Sequence, residues 1–342
     1  MEIKSASRTL ITFSLVFIIF GCISFGGNNP TAPATTPSPE NVNISNTEIP
    51  VVATAPVADT ATAIVVNSTN PCIGTSAPTQ WKHVVVLMFE NHDTVIGSPS
   101  LPYISALASK CGTYDNWNDA DFRVNGTPDG EYNSKPNYAT LTNGLSPSAH
   151  GILTDEYTSK TSAKSIYDQL NQAGKTFKNY YDAEPGGCSV EFNGAYHDPI
   201  RYYTSIASIC DQHDVPIPNF MTDVNSGNLP DFSMIIPSND HNMHDNSLES
   251  GDAWAKNFLE PLLNSAAYQK GDVAVFFLWD EDSPVPNVLI APSIISGSNI
   301  PVPDGNPISH FSVLRTWEEM LGLPLLGDTN QAPSLLPFFG KP

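Results

Sequence analysis

The sequence predicts an α/β domain: a mostly parallel central sheet with helices on both faces. Three observations carry that expectation. His83-Val84-Val85-Val86-Leu87-Met88-Phe89 and Val273-Ala274-Val275-Phe276-Phe277-Leu278-Trp279 are unbroken apolar runs, the pattern of strands buried on both faces. Stretches of helical spacing alternate with such runs. The runs also end in acidic or imidazole side chains, and chemistry in parallel sheets gathers beyond the carboxyl ends of the strands.

Taken in order, the first run is followed by a helix over 101–110, placed by its apolar spacing. Tyr132-Asn133-Ser134-Lys135-Pro136-Asn137-Tyr138-Ala139-Thr140-Leu141 reads as a polar turn feeding a helix, because proline is favoured in a first turn. That helix stops near Asn143-Gly144. Residues 162–173 have helical spacing and end at Gly174, a normal C-terminal cap. Residues 176–181 and 232–236 read as short strands. A helix over 251–269 precedes the strand at 273–279, a further strand follows at 287–291, and a helix over 311–321 closes the chain.

The N-terminus has the form of an export signal. Lys4 and Arg8 precede an apolar run from Leu10 to Phe20 that ends at Gly21-Cys22, and the run is short for a bilayer span. Ile19-Phe20-Gly21-Cys22 resembles the lipobox of exported lipoproteins, with Phe20 bulkier than that pattern prefers. Residues 1–22 are therefore read as a signal or lipobox-like segment, with a soluble secreted form and an uncleaved anchor as alternatives. Residues 23–80, rich in Pro, Thr, Ser, Asn and Ala, read as a disordered tether, and 81–342 as the folded domain. Apart from Cys22 the chain holds Cys72, Cys111, Cys188 and Cys210. Without a Cys-x-x-Cys pair, disulfides in an oxidising, extracytoplasmic compartment are favoured over zinc, and sequence leaves the pairing open.

The net charge of −20 argues against a nucleic-acid partner, since phosphate backbones need clustered Lys and Arg. An anionic substrate would need a local cation to hold it. Contact with a membrane would come only through the N-terminal lipid or anchor.

The candidate site is assembled from strand ends. The first run leads into Glu90-Asn91-His92-Asp93, the strand at 232–236 into Asn239-Asp240-His241-Asn242-Met243-His244-Asp245, and the strand at 273–279 into Asp280-Glu281-Asp282. Clustered carboxylates raise one another's pKa, and a divalent cation relieves that, with Asp, Glu and Asn oxygens as suitable hard ligands. Ser134 has two readings: an N-cap, or a nucleophile whose target phosphate is held by free N–H groups at the helix start. His83 is read as structural because it precedes its strand. His150, His197 and His213 are read as ordinary loop histidines.

These segments, in order, resemble the motifs of the phosphoesterase family of bacterial-type acid phosphatases and phospholipases C, within the alkaline-phosphatase-like superfamily. The carrying residues are 83–93, Ser134-Lys135-Pro136-Asn137-Tyr138, Asn242-Met243-His244-Asp245, Trp279-Asp280-Glu281 and His310-Phe311-Ser312-Val313-Leu314-Arg315-Thr316. The resemblance implies an alkaline-phosphatase-like fold and hydrolysis of small phosphate esters through a seryl-phosphate on Ser134. It implies one divalent metal ion bound by Glu90, Asn91, Ser134, Asp280 and Glu281. His244, with His241, would hold the phosphoryl group or protonate the leaving oxygen, and Asn137, Asp245 and His310 would contact substrate, with a structural role at the start of the last helix as the alternative for His310.

The chain departs from the family pattern at Tyr132, where many members have histidine, and in the short loop after Glu281, which lacks one. Phosphatase is favoured. A phospholipase C type diesterase, with Tyr202-Tyr203 and Phe220-Met221 as its apolar surface, is the runner-up, and a non-catalytic surface-binding module is the third reading. A sulfatase is disfavoured because the Ser134 motif lacks the expected arginine.

Overall fold

The computed structural model describes residues 65–92, 96–114, 116–182, 187–188, 195–297 and 307–341. The expected signal segment and most of the expected tether lie outside the described residues. Residues 65–80, also expected in the tether, are instead fastened to the domain. Cys72 bonds Cys111, the backbone N–H groups of Ile73 and Gly74 donate to the carbonyls of Pro292 and Ile294, and Tyr268 donates to the Pro71 carbonyl. A composition argument that scores only the absence of aromatic side chains misses such covalent and backbone ties.

In chain order the elements are β1 (His83–Phe89), α1 (Pro102–Lys110), β2 (Trp117–Asn118), α2 (Ser134–Asn143), α3 (Pro147–His150), α4 (Ile166–Gln172), β3 (Phe177–Tyr181), α5 (Cys210–His213) and β4 (Asp214–Pro216). There follow α6 (Pro218–Ser226), β5 (Phe232–Ile236), α7 (Leu248–Leu263), α8 (Ala266–Gln269), β6 (Val273–Trp279), β7 (Asn287–Ile290), β8 (Ile308–Ser309) and α9 (His310–Leu321).

The main sheet has the order β4-β3-β5-β1-β6-β7. β1 lies at its centre, parallel to β5 (Val84 opposite Phe232) and to β6 (His83 opposite Val273 through Phe89 opposite Trp279). Only the last pairing in this sheet, β6 with β7, is antiparallel. β5 and β6 are buried at every residue and β1 from Val84 onward, so both faces of the sheet are covered.

Two helix limits differ from the sequence reading for identifiable reasons. The helix expected over 162–173 begins only at Ile166, because Ser165 caps it and exchanges bonds with Asp168 in a capping box. The helix expected over 251–269 is two, α7 and α8, because Ser265 caps a new helix by accepting the Tyr268 N–H. The short β4 and the helix α6 were not anticipated.

The parallel register has one consequence for chemistry. The carboxyl ends of β1, β5 and β6 share an edge and are stitched together there. The Glu90 N–H donates to Asn242 O at 3.0 Å, and the Asp280 N–H donates to Phe89 O at 3.0 Å.

Candidate active site

α2 carries Ser134 to that edge. Ser134 is its first helical residue, with Asn133 in the cap position and no side-chain capping bond. The Ser134 hydroxyl is therefore not a cap. It is buried and donates to Glu90 Oε2 at 2.8 Å, with Glu281 Oε1 3.4 Å away. One of the helix-start N–H groups expected to hold a phosphate is also occupied: Lys135 N–H donates to Asp155 Oδ1 at 2.8 Å. The residues one turn on, Asn137 and Tyr138, face the same carboxylates. Asn137 Nδ2 lies 3.5 Å from Glu281 Oε2, and its Oδ1 accepts the Ala120 N–H at 2.8 Å.

Glu90 is the hub. Besides Ser134 it accepts from the Tyr138 hydroxyl at 2.6 Å on Oε1, and pairs with His197 Nε2 at 3.0 Å on Oε2. Burial pushes its carboxyl up, but His197 and the hydrogen bonds from His197, Tyr138 and Ser134 outweigh that, so its pKa lies below the usual value. His197, expected as a surface residue, is buried, stacks on Tyr138 with ring centroids 5.8 Å apart, and leaves Nδ1 without a partner. The next residue fixes it. Asp198 accepts from Asn179 of β3 at 2.7 Å and from Arg201 at 2.9 Å, and Arg201 also grips Asp214 of β4 at 2.5 Å. Cys188–Cys210, the second disulfide, closes the same region.

Asp280 has the opposite environment. It is fully buried, and neither carboxylate oxygen has a hydrogen-bond partner. It lies beside Ser134, but a hydroxyl has one proton and that proton is directed at Glu90. Burial first, then Glu90 and Glu281, push the Asp280 carboxyl well above the usual range. Glu281 is pushed up to about 8 by burial, then by Glu90 and Asp155.

No group of three acidic, imidazole or thiol side chains among the described residues is already drawn together as a metal cage. The donor set nevertheless fits a hard divalent cation. All the side chains are oxygen donors, and Asp280 supplies two buried oxygens with no other partner. Asn91 follows Glu90 directly and is partly buried.

The remaining expected site residues divide into two groups. His241 is at the same edge, braced on two sides. Its Nδ1 meets Asp182 Oδ2 at 2.5 Å, and its ring stacks on Trp254 at 5.5 Å and 17°. Asp182 also accepts from the Ser238 hydroxyl at 2.9 Å. His244 and Asp245 are about half exposed and face each other at 3.4 Å.

Of the two readings of His310, the observed contacts match the structural one. It is fully buried, with Nε2 against the Asp280 carbonyl at 2.6 Å and Nδ1 accepting from Trp117 at 3.3 Å. With both nitrogens engaged, it supports the backbone of Asp280. Burial pushes its pKa down to about 4, so the ring is neutral.

Tyr202, Tyr203 and Phe220 are core residues, and Met221 packs against that core. They do not form the apolar surface expected for a diesterase. His150 is buried too, with Nδ1 accepting the Ile152 N–H. His83 is structural as expected, with Nδ1 against Pro230 O at 2.9 Å.

Sequence reasoning missed His197, Tyr138, Asp155 and Asp182. Tyr138 was findable, since it lies four residues after Ser134 on a helix. For His197 no local pattern signals burial against a residue 107 positions away.

Comparison with known proteins bears on the family and the fold. The model of the phosphoesterase family matches residues 101–293. A Mycobacterium tuberculosis protein named phosphatidylinositol-3-phosphatase is 29% identical over 273 residues, covering 78% of this chain and 86% of that one. An Aspergillus fumigatus acid phosphatase is 27% identical over 138 residues, 38% of this chain and 31% of its own length. Among solved structures, a putative sulfatase from Bacteroides thetaiotaomicron superposes with a TM-score of 0.54 at 10% identity, covering 77% of this chain and 75% of that one. A Vibrio parahaemolyticus protein of the alkaline phosphatase superfamily gives 0.50 at 14% identity, covering 82% and 74%. At such identities these two structures speak to fold alone. The chain belongs to the phosphoesterase family and is a hydrolase acting on phosphoric ester bonds.

Proposed function

We propose that the protein is an exported phosphatase of small phosphomonoesters that works through a seryl-phosphate on Ser134. The observation that carries this reading is the Ser134 hydroxyl donating to Glu90 at 2.8 Å, beside an Asp280 with two unpartnered buried oxygens. In the first step a bond forms between Ser134 Oγ and phosphorus, and the hydroxyl proton passes along its existing hydrogen bond to Glu90 Oε2. The bond from phosphorus to the alcohol oxygen breaks, and that oxygen takes a proton from His241 Nε2. Asp182 and Trp254 fix the plane of the His241 ring, which makes it a better-oriented acid than half-exposed His244. A water oxygen then bonds to phosphorus and gives a proton back to His241 Nε2, while the bond from phosphorus to Ser134 Oγ breaks and Oγ retakes its proton from Glu90, releasing inorganic phosphate. Asn137 Nδ2 donates to the Asn133 carbonyl at 3.1 Å and lies 3.5 Å from Glu281 Oε2, so its second N–H is the one that would turn to a phosphoryl oxygen at the start of α2.

Glu90, Asn91, Asp280 and Glu281, with Ser134, would hold one divalent cation, which when bound supplies positive charge that lowers the serine pKa and offsets phosphate charge. His310 and Trp117 keep the Asp280 backbone in register for that role.

The monoesterase reading is preferred because the relatives described above are named phosphatases. The residues considered for a diesterase surface are also in the core. Export is supported by two disulfides, which persist in oxidising compartments. The test is hydrolysis of p-nitrophenyl phosphate beside its phosphocholine diester, before and after chelation with verified metal removal. Cleavage of the monoester that chelation abolishes is expected. Preference for the diester would establish the phospholipase reading, no cleavage of either would leave a binding module, and full activity without metal would remove the cation.

A further inference from the structure

We propose that Met243 and Gly251 are positioning residues for the leaving-group acid: the methionine side chain seats on the glycine of α7 and so sets where His241 stands. The inference rests on the reading of His241 as that acid and adds the two residues that place it.

Two reversed local preferences meet here. Gly251 lies inside α7, where glycine is a poor helix former and alanine the best. Its backbone is not left-handed, so conformation does not demand a glycine. Met243 is the converse, a side chain at φ 73°, in the left-handed region that favours glycine. Among the described non-glycine residues only Asp282 shares that trait. Each oddity explains the other. Met243 is buried, and a Cβ at position 251 would overlap its Cγ, lie 2.7 Å from its Cε and stand 3.1 Å from the His241 carbonyl oxygen. The glycine leaves the space that the methionine fills.

Both partners of the seat are held. Asp252 accepts the N–H groups of Tyr103 and Ile104 at 3.0 and 2.9 Å, which pins this part of α7 to α1. The Met243 N–H donates to Asn246 Oδ1 at 2.7 Å, and buried Asn242 Oδ1 accepts the N–H groups of His244 and Asp245, both at 3.0 Å. The turn also reaches the site twice. Asn242 O accepts the Glu90 N–H, and His241 stacks on Trp254, one turn of α7 beyond Gly251. Asp182 and Trp254 fix the plane of the His241 ring, whereas its position within that plane follows the backbone that Met243 anchors. Glu90 is held separately by Ser134, Tyr138 and His197, so displacement of the turn falls on His241 first.

The experiment compares kcat/KM for two esters in the full-length metal-loaded enzyme. Glycerol 2-phosphate releases an alkoxide that must be protonated as it leaves, and p-nitrophenyl phosphate releases a phenolate that leaves without a proton. His241→Gln reads the acid itself, and should cost the alkyl ester about a hundredfold and the aryl ester about threefold or less. Gly251→Ala should split the two esters in the same direction by about tenfold or more. Met243→Gly removes the seat without adding an atom and should split them likewise. In that background Gly251→Ala should add no more than about twofold, because the overlap is gone. Leu259→Val, a buried change elsewhere on α7, should lower the melting temperature and leave the ratio of the two esters at the parental value.

A ratio unchanged in Gly251→Ala and Met243→Gly, beside a split in His241→Gln, overturns the inference and leaves the acid standing. No split in His241→Gln removes the acid and the inference with it. If Gly251→Ala does not fold, Met243→Gly decides on the same ratio.

Discussion

Neutralising Asp280 should stabilise the metal-free protein while weakening its response to metal. Asp280→Asn keeps the shape of a side chain that is fully buried, has two unpartnered oxygens and lies beside Glu90 and Glu281. The substituted amide N–H groups would face those two carboxylates as donors. In the parent, burial and then the two glutamates raise the Asp280 pKa well above its ordinary value. The unfolded chain releases that proton near pH 4 while the folded chain retains it, so the folded state loses stability as pH rises from there. Asparagine has no such loss. The two proteins should therefore melt together near pH 4 and diverge towards pH 8.

Leaving a buried charge uncompensated costs about 3–5 kcal/mol. Taking about 3 kcal/mol at roughly 2–4 °C per kcal/mol, the chelated variant should melt about 6–12 °C above the chelated parent at pH 8. A divalent cation at a hundred times its Kd returns about 2.7 kcal/mol to the parent, which closes most of the gap, and should return much less to the variant. Scanning calorimetry of both proteins, chelated and metal-loaded, reads all four states. A chelated Asp280→Asn protein that melts at or below its parent at pH 8 would refute the reasoning.

Three further outcomes are expected. Ser134→Ala should lower kcat by about a thousandfold or more while costing about 1.5–3 kcal/mol of stability, the worth of one hydrogen bond to the Glu90 carboxylate; parental turnover would end the nucleophile assignment. His197→Ala removes one of the three donors on Glu90 and should weaken metal affinity and kcat by about 10–100-fold, with His197→Gln intermediate. Calorimetric titration of metal into the three proteins decides, and identical affinities would make His197 merely structural.

Glu318, far from this chemistry on α9, is fully buried, and burial pushes its pKa up from 4.5 to about 7 despite hydrogen bonds from Thr329 and the Leu326 N–H. Between those values the folded state binds the extra proton, so about 3 kcal/mol of stability is lost as pH rises from 4.5 to 7. Glu318→Gln should flatten that slope in urea unfolding, and parallel slopes would contradict it.

How much of this was legible in the sequence follows from the range over which each interaction acts. Val84 to Phe89 and Val273 to Trp279 announce buried parallel strands because both faces of each strand must be apolar. That alone brings Glu90, Asn242 and Asp280 to one edge, and the bonds from Glu90 N–H to Asn242 and from Asp280 N–H to Phe89 follow from strand order. The role of the Ser134 hydroxyl was not decidable locally, since a capping serine and a reactive one look alike in sequence. The structure excludes the cap, because the hydroxyl donates to Glu90, 44 residues earlier, and makes no capping bond. His197 was unreadable for the same reason: its burial depends on Asp198 meeting Asn179 and on Arg201 meeting Asp214, contacts made across the sheet. Residues 65–80 misled because composition records what a segment lacks and says nothing of what Cys72 will bond.

An acidic protein that hydrolyses a phosphate ester must still find positive charge for its substrate, and the basic residues nearest the serine are committed elsewhere. Lys135 adjoins Ser134, yet its ammonium lies on three carbonyls and over the Tyr202 ring, and burial lowers its pKa to about 8. Arg201, in the segment that delivers His197, is held by Asp198, Asp214 and the Gly187 carbonyl. These cations build the frame of the site and do not reach a phosphoryl group. What stands at the Ser134 hydroxyl instead is carboxylate: Glu90, Glu281 and an Asp280 stripped of partners. Such an arrangement repels a phosphate dianion and costs stability as it stands, and the proposed divalent cation would reverse both effects at once. Substrate affinity and the thermal stability of the carboxylate cluster should therefore rise together along one metal titration, with a common midpoint. Separate midpoints would mean that the cation holding the fold is not the one that meets the phosphate.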